Sequence, residues 1–359
     1  MKTQLLYKTV FILFLLPAIA LGTNPTKGKY KKEKTIKKEY TVNKDALLKI
    51  NNSYGNLDIV TYSGNTISIE VNITVSGNDE EKLQKKLDGI NVNFNASAGE
   101  GSAKTVFNNN KSWWNWGNSN MSMEVNYKVK LPITNSVDLD NDYGSINLDK
   151  LEGNANLRCD YGKITTKELM APNNMISFDY TSNSYFEYIN GGKINADYSG
   201  FTVAKTKKLD ITADYTKSIV EVAEDVNFNC DYGSINIQKL NNVTGNGDYL
   251  TMRLGDVYKN VDIKGDYGSL KIDNMTANAG NVSIQSDYLG ITIGYDPVYN
   301  FNFDINTEYG SIRNTDSFEF TKKKVESTEK YYLGYYGNSN SGNLIKINSD
   351  YGSVTFKKN

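Results

Sequence analysis

The chain has 359 residues and near-balanced charge, with 40 Lys and Arg against 41 Asp and Glu. That length can bury a sizeable core, the ordinary hydrophobic content argues against disorder, and the charge balance gives no footprint for a nucleic-acid partner. Histidine is missing altogether, which excludes His-based triads, His general bases and His metal sites.

Taken in chain order, residues 1–20 read as a signal peptide. Lys2 and Lys8 precede an apolar run from Val10 to Leu16, and Ala18, Ile19 and Ala20 sit at cleavage spacing. Cleavage is expected after Ala20, with Gly22 as the alternative. No second apolar run of about twenty residues follows, so no transmembrane segment is expected in the exported chain. Residues 21–40 carry seven lysines between Lys27 and Lys38. They read as a solvated Lys-rich linker, or more sharply as a contact for anionic lipid or envelope polymer.

Residues 41–130 read as an N-terminal capping region of mixed β/α character. Ile50, Tyr54, Leu57 and Ile59 form an outlying first copy of the repeat described below, and Ile67, Ile69, Val71, Ile73 and Val75 alternate as a long strand. A helix is predicted over 79–88, capped by Ser76 or Asn78 and ended by Gly89. The strands around Val92–Phe94 and Met121–Val129 complete an insert that would cover an open sheet edge. Between them lies a Trp-rich loop, 108–120, with Trp113, Trp114 and Trp116 among asparagines. These indoles read either as a hydrophobic plug or as an exposed platform for sugars or a partner protein, the one candidate ligand-binding loop.

From 131 to 359 one pattern recurs around tyrosine. The copies are centred on Tyr143, Tyr161, Tyr180, Tyr198, Tyr215, Tyr232, Tyr249, Tyr267, Tyr288, Tyr309 and Tyr351. Steps run from 17 to 21 residues, and the final 42 equals two steps of 21. Apolar residues recur four before the tyrosine (Leu139, Leu157, Ile176, Ile194, Ile211), and again three and five after it (Ile235, Ile237; Leu270, Ile272). Small residues recur two before. Alternation on both sides of a corner means strand, turn, strand, and a copy this short buries its apolar face only by stacking on its neighbours. The expected fold is therefore all-β: a parallel β-solenoid, right-handed by the usual crossover preference, with 17–21 residues per coil and a small N-terminal β/α cap containing one helix. The segment Thr321–Gly342 reads as a long loop or a damaged coil lacking its corner.

The corners are the structural signature: Asp142, Tyr143, Gly144; Asp160, Tyr161, Gly162; Asp231, Tyr232, Gly233; Asp266, Tyr267, Gly268. Glycine is expected to take positive φ, aspartate to close an Asx-turn onto the amide two residues on, and the tyrosine ring to lean inward. The stacked acids raise calcium as a possibility, but the glycine-rich calcium nonapeptide of β-rolls is missing, so neither metal nor cofactor is expected. Cys159 and Cys230 lie four copies apart, about 19 Å at strand spacing, too far for a disulfide. Both read as buried thiols.

The segment "KINNSYGNLDIVTYSGNTISIEV", the strand "YKVKLP" at Tyr127–Pro132 and the Asp-Tyr-Gly coils together resemble the bacterial putative-adhesin family over roughly residues 41–359. The resemblance implies an exported β-solenoid at the periplasm or cell surface, and transfers no catalytic residue. The expected function is a non-enzymatic, adhesin-like protein that presents a rigid face to a surface glycan or an envelope protein. The competing readings are a structural envelope protein without a ligand and, less favoured, a polysaccharide-active β-helix enzyme.

Overall fold

The structure, a computed structural model, describes residues 28–108 and 121–359. It is nearly all β, with one helix among the described residues. The chain divides into two compact units, up to Leu169 and from Met170 onward.

The first unit holds β1 (Tyr30–Thr41), β2 (Leu47–Ser53), β3 (Leu57–Tyr62), β4 (Thr66–Gly77), α1 (Glu80–Asp88), β5 (Ile90–Ala96), β6 (Glu100–Phe107), β7 (Ser122–Pro132), β8 (Ser136–Asp142), β9 (Ser145–Leu148), β10 (Ala155–Asp160) and β11 (Lys163–Leu169). Tyr54 does mark a repeat: β2 and β3 pair in parallel with β8 and β9, matching Leu48 to Val137 and Leu57 to Ile146. β10 and β11 stack next, Leu157 on Leu139 and Ile164 on Ile146. On the other side β6 and β7 pair with β2 and β3, and antiparallel partners follow, β5 on β6 and β4 on β7.

Two expectations change here. Residues 30–41 are a strand rather than a linker: β1 pairs antiparallel with β4 along its whole length, Tyr30 with Gly77 through Thr41 with Thr66. Its lysines are not merely solvated, since Lys32 pairs with Glu80 and Lys37 with Glu70. The alternation of long charged stems with Ile36 and Tyr40 is compatible with a half-covered edge strand. The helix lies where expected, but Asp79 caps it by accepting from the Lys82 amide, while Asn78 instead accepts from the Lys29 amide. Leu83 and Leu87 are its buried apolar residues.

The second unit holds β12 (Asn174–Asp179), β13 (Ser184–Asp197), β14 (Gly200–Asp214), β15 (Lys217–Asp231), β16 (Ser234–Asn246), β17 (Thr251–Val257), β18 (Val261–Lys264), β19 (Gly268–Met275), β20 (Val282–Asp287), β21 (Leu289–Tyr295), β22 (Phe301–Glu308), β23 (Ser311–Arg313), β24 (Glu319–Val325), β25 (Glu329–Tyr336), β26 (Leu344–Asp350) and β27 (Ser353–Lys358). Equivalent positions stack in register: Ile176 on Ile194, Ile194 on Ile211, Ile211 on Phe228. After the corner, Ile235 meets Met252, and Met252 meets Leu270. All of these are buried. Like-on-like burial is the main source of cohesion, about 1.5–3 kcal/mol for each fully covered Ile, Leu or Phe.

The last copy is out of sequence order. β26 lies between β20 and β22, with Ile347 matched to Ile284 on one side and Ile305 on the other. The segment read as a missing corner is instead an antiparallel hairpin, β24–β25, laid on β22. The chain thus closes this end with the hairpin first and fills the remaining layer last. Phe301, Phe303, Phe318, Tyr295 and Tyr336 pack a dense aromatic cluster there.

Cys159 and Cys230 are free and buried. Burial, reinforced by nearby carboxylates, pushes the Cys159 thiol up to about 12, and burial does the same for Cys230.

Candidate binding face

Tyrosine, not glycine, takes the left-handed conformation at each corner. In the second unit Tyr180, Tyr198, Tyr215, Tyr232, Tyr249, Tyr267, Tyr288, Tyr309 and Tyr351 have φ between 50 and 55°. In the first unit Tyr54, Tyr143 and Tyr161 lie at 66, 56 and 56°. Such values are rare for a bulky residue and strained by about 1–2 kcal/mol each. The corner glycine has a different role. A Cβ on Gly144 would collide with the carbonyl oxygen of Gly55, and one on Gly162 with that of Gly144, so glycine permits the layers to approach.

The positive φ also turns the ring outward, against the expectation that it leans into the core. One left-handed residue breaks the in–out alternation, so the next residue points inward: Thr181, Thr216, Leu250 and Leu289 are buried. The rings lie outside, 43–58 % exposed in the second unit. There they form a ladder in which successive centroids are 4.6–5.3 Å apart and planes differ by only 1–5°. The order is 180, 198, 215, 232, 249, 267, 288, 351, 309, the inserted last copy supplying the eighth rung. The first unit has a shorter stack of Tyr54, Tyr143 and Tyr161, with Phe107 edge-on to Tyr54.

Two hydrogen bonds link each corner to the next from Tyr180 to Tyr288. The Tyr198 amide donates to the Asp214 carbonyl and Tyr215 to that of Asp231, both at 3.0 Å. In return the Asp214 amide donates to Oδ1 of Asp197, Asp231 to Asp214, Asp248 to Asp231 and Asp266 to Asp248, at 2.8–3.1 Å. The aspartate therefore accepts from the adjacent layer rather than closing an Asx-turn within its own corner. A carboxylate is suited to this because charge strengthens the bond to an N–H. The acids still form a like-charged column: burial, then Asp266 and Asp350, raise the Asp287 carboxyl, and burial with Asp140 and Asp160 does the same to Asp142.

The strands leading into the corners of the second unit carry an open groove of about 490 Å³. Its lining mixes Ile211 and Phe228 with polar side chains: Asn227 donates to Asp210 at 2.8 Å and Asn246 to Asn229 at 2.9 Å. Gly245 and its register partner Phe228 both line it.

Of the sequence-predicted site residues, the corner triplets are brought together as this stacked stripe within each unit. Trp113, Trp114 and Trp116 lie outside the described residues. Among the described residues no three acidic or cysteine side chains are grouped as a metal site, and no helix is long and apolar enough to cross a membrane. The sequence reading missed the outward ladder and the asparagine-lined groove.

No family model and no curated protein matches the chain. Solved structures similar to it include a putative cell adhesion protein from Clostridium sporogenes, 12 % identical, with TM-score 0.16 and coverage of 91 % of this chain and 100 % of that one. A putative adhesin from Bacteroides fragilis is 10 % identical, TM-score 0.29, covering 91 % and 97 %. A putative adhesin from Parabacteroides distasonis is 9 % identical, TM-score 0.33, covering 90 % and 97 %. Likeness at this level carries no argument about what the chain does.

Proposed function

We propose that the chain is an exported, non-enzymatic, adhesin-like protein of the periplasm or cell surface, built as a right-handed parallel β-solenoid, that holds a surface glycan or envelope protein along its repeating outer face. The observation that carries this reading is the ladder of nine half-exposed tyrosines in the second unit. Contiguous exposed aromatic surface is a hallmark of interaction sites. Strain repeated at nine positions is more economically tied to function than to stability. A ladder bound to successive units of an extended partner gains affinity from many weak, equivalent contacts. The missing histidines remove the commonest general base, which favours binding over chemistry.

The test compares wild type, a Tyr198→Asn/Tyr232→Asn/Tyr267→Asn variant and a Trp113→Ala/Trp114→Ala/Trp116→Ala variant on glycan arrays and isolated bacterial envelopes. Asn tolerates the left-handed backbone, so the fold is retained. Binding lost in the tyrosine variant is expected. Binding that survives there and vanishes in the tryptophan variant moves the site to the loop, and no binding by wild type refutes the proposal.

A further inference from the structure

Ring faces in the ladder are already occupied by neighbouring rings, so only edges and hydroxyls are presented outward. That rules out the usual stacking of a sugar ring flat on an aromatic face along the stripe. A ligand running the other way, parallel to the ladder, would instead meet one phenol and one acid per layer. Every rung of the second unit is preceded by an acid: Asp at eight corners and Glu308 at the ninth. Over the four corner positions from acid to second residue after tyrosine, the single basic residue is Lys217. Lys330 donates to the Gly310 carbonyl beside the Tyr309 rung; from Tyr180 to Tyr351 the stripe is aromatic and predominantly anionic, with a repeat of 4.6–5.3 Å.

We propose that the ladder of the second unit is a track for an extended, equatorially linked amino-sugar polymer carrying free, protonated amines. This rests on the adhesin-like reading above and names its ligand. Three properties select that chemistry. The first is pitch: such a chain advances by about the length of one pyranose ring per sugar, close to the strand spacing of about 4.8 Å, whereas an extended polypeptide advances only about 3.3 Å per residue. The second is charge: cationic amines, which alternate sugars of such a chain turn to the same side, complement the acid column, in which Asp287 is raised first by burial and then by Asp266 and Asp350. The third is valence: in Asp197, Asp214, Asp231 and Asp248 the amide of the next layer bonds Oδ1, and Oδ2 keeps lone pairs for an ammonium donor. Phenol hydroxyls both donate and accept, matching sugar hydroxyls.

The experiment is calorimetric titration of the purified protein, at mildly acid pH where the amines are charged, with β-1,4-linked glucosamine oligomers of increasing length. Fully N-acetylated oligomers, a polyuronate and polylysine serve as comparators. Affinity should rise by about tenfold or more from trimer to hexamer, as successive sugars engage successive rungs, and fall with salt. Neutral and anionic sugars should bind at least tenfold more weakly. A Tyr215→Asn/Tyr232→Asn/Tyr249→Asn variant, and separately Asp214→Asn/Asp231→Asn/Asp248→Asn, should abolish the length dependence, with unchanged circular dichroism showing that each has folded. Equal binding of N-acetylated oligomers overturns the charge assignment. Polylysine binding with the same length dependence overturns the sugar assignment in favour of a polypeptide. Binding of a neutral glycan that is indifferent to the tyrosine variant, yet lost in Asn227→Ala/Asn246→Ala, leaves the adhesin-like reading standing and sinks this one.

Discussion

The Phe228 ring occupies the space in which a side chain on Gly245 would lie. The two are register partners in adjacent layers, and a Cβ built on Gly245 would run into the tip of the Phe228 ring. Neighbouring layers place Ile211 and Ile263 at the same position, so one large and one absent side chain replace two medium ones. Gly245→Ile alone should overpack the site, by about 1–3 kcal/mol, and Phe228→Ile alone should leave a cavity at a cost of about 1–3 kcal/mol. The double variant should recover most of both losses, since an interior strand glycine is itself destabilising by about 0.5–1 kcal/mol. Denaturant unfolding of the four proteins gives the coupling directly. Additive losses would show that the two side chains do not share one space.

Tyr215 offers a way to separate strain from stacking. It sits at φ 52° between Tyr198 and Tyr232, 4.9 and 5.0 Å away. Tyr215→Ala loses both stacks, each worth about 0.5–1.5 kcal/mol, and keeps the backbone strain. Tyr215→Gly loses the stacks but relieves strain of about 1–2 kcal/mol, offset in part by the entropy of glycine. The expected stability order is wild type, then Gly, then Ala, with the β-branched Tyr215→Val last. Measured unfolding free energies with Ala at or above Gly would mean that the left-handed backbone carries no strain.

Much of this architecture was legible in the sequence, because a repeated apolar pattern can be satisfied only by stacking like on like. Ile194, Ile211, Ile235 and Leu270 are where the periodicity placed them, in register and buried. The orientation of the tyrosines was legible too, and was misread. Apolar positions lie at even offsets before the corner and odd offsets after it, and that change of parity requires one residue to break the alternation. Glycine is the residue that tolerates positive φ, yet some copies lack it: Tyr215 is followed by Thr216 and Tyr249 by Leu250, so the constant element of the corner is the tyrosine. Other features had no local signal. That Asp231 accepts from Asp248 rather than from its own turn depends on how closely layers approach. That β26 enters between β20 and β22 depends on a pairing choice between three chemically equivalent strands.

Alkaline pH should dissolve the ladder. Desolvation, then the adjacent rungs, then the acid column raise the phenols of Tyr232, Tyr267 and Tyr351. Burial likewise pushes Tyr127 up to about 12, against the lowering effect of its bond to Thr105. A raised folded-state value means the native state holds the proton more tightly than the unfolded chain. The stabilising contribution is therefore complete below the unfolded tyrosine value of about 10 and is lost as pH rises through the folded values. Phenolate absorbance should show a late-ionising class among the 26 tyrosines, accompanied by a falling denaturant midpoint. A single titration near the ordinary value, with no change in midpoint, would remove the argument.

The lysine run of β24 bears on solubility. Among the described residues β24 pairs only with β25, leaving its other edge open to a second chain. Two devices blunt that edge. The register slips between Phe320 and Lys322, a bulge that interrupts the ladder, and Lys322, Lys323 and Lys324 place charge along the strand. Their stems are held in place, Lys322 over the Tyr331 ring, Lys323 over Phe320, and Lys324 paired with Glu329 at 2.7 Å. Lys322→Thr/Lys323→Val/Lys324→Thr keeps strand propensity while removing the charge. Light scattering after gel filtration should then show concentration-dependent association, reversed by adding Thr321→Pro, which removes a donor at the bulge. A triple variant that stays monomeric at every concentration would mean that the bulge alone protects the edge.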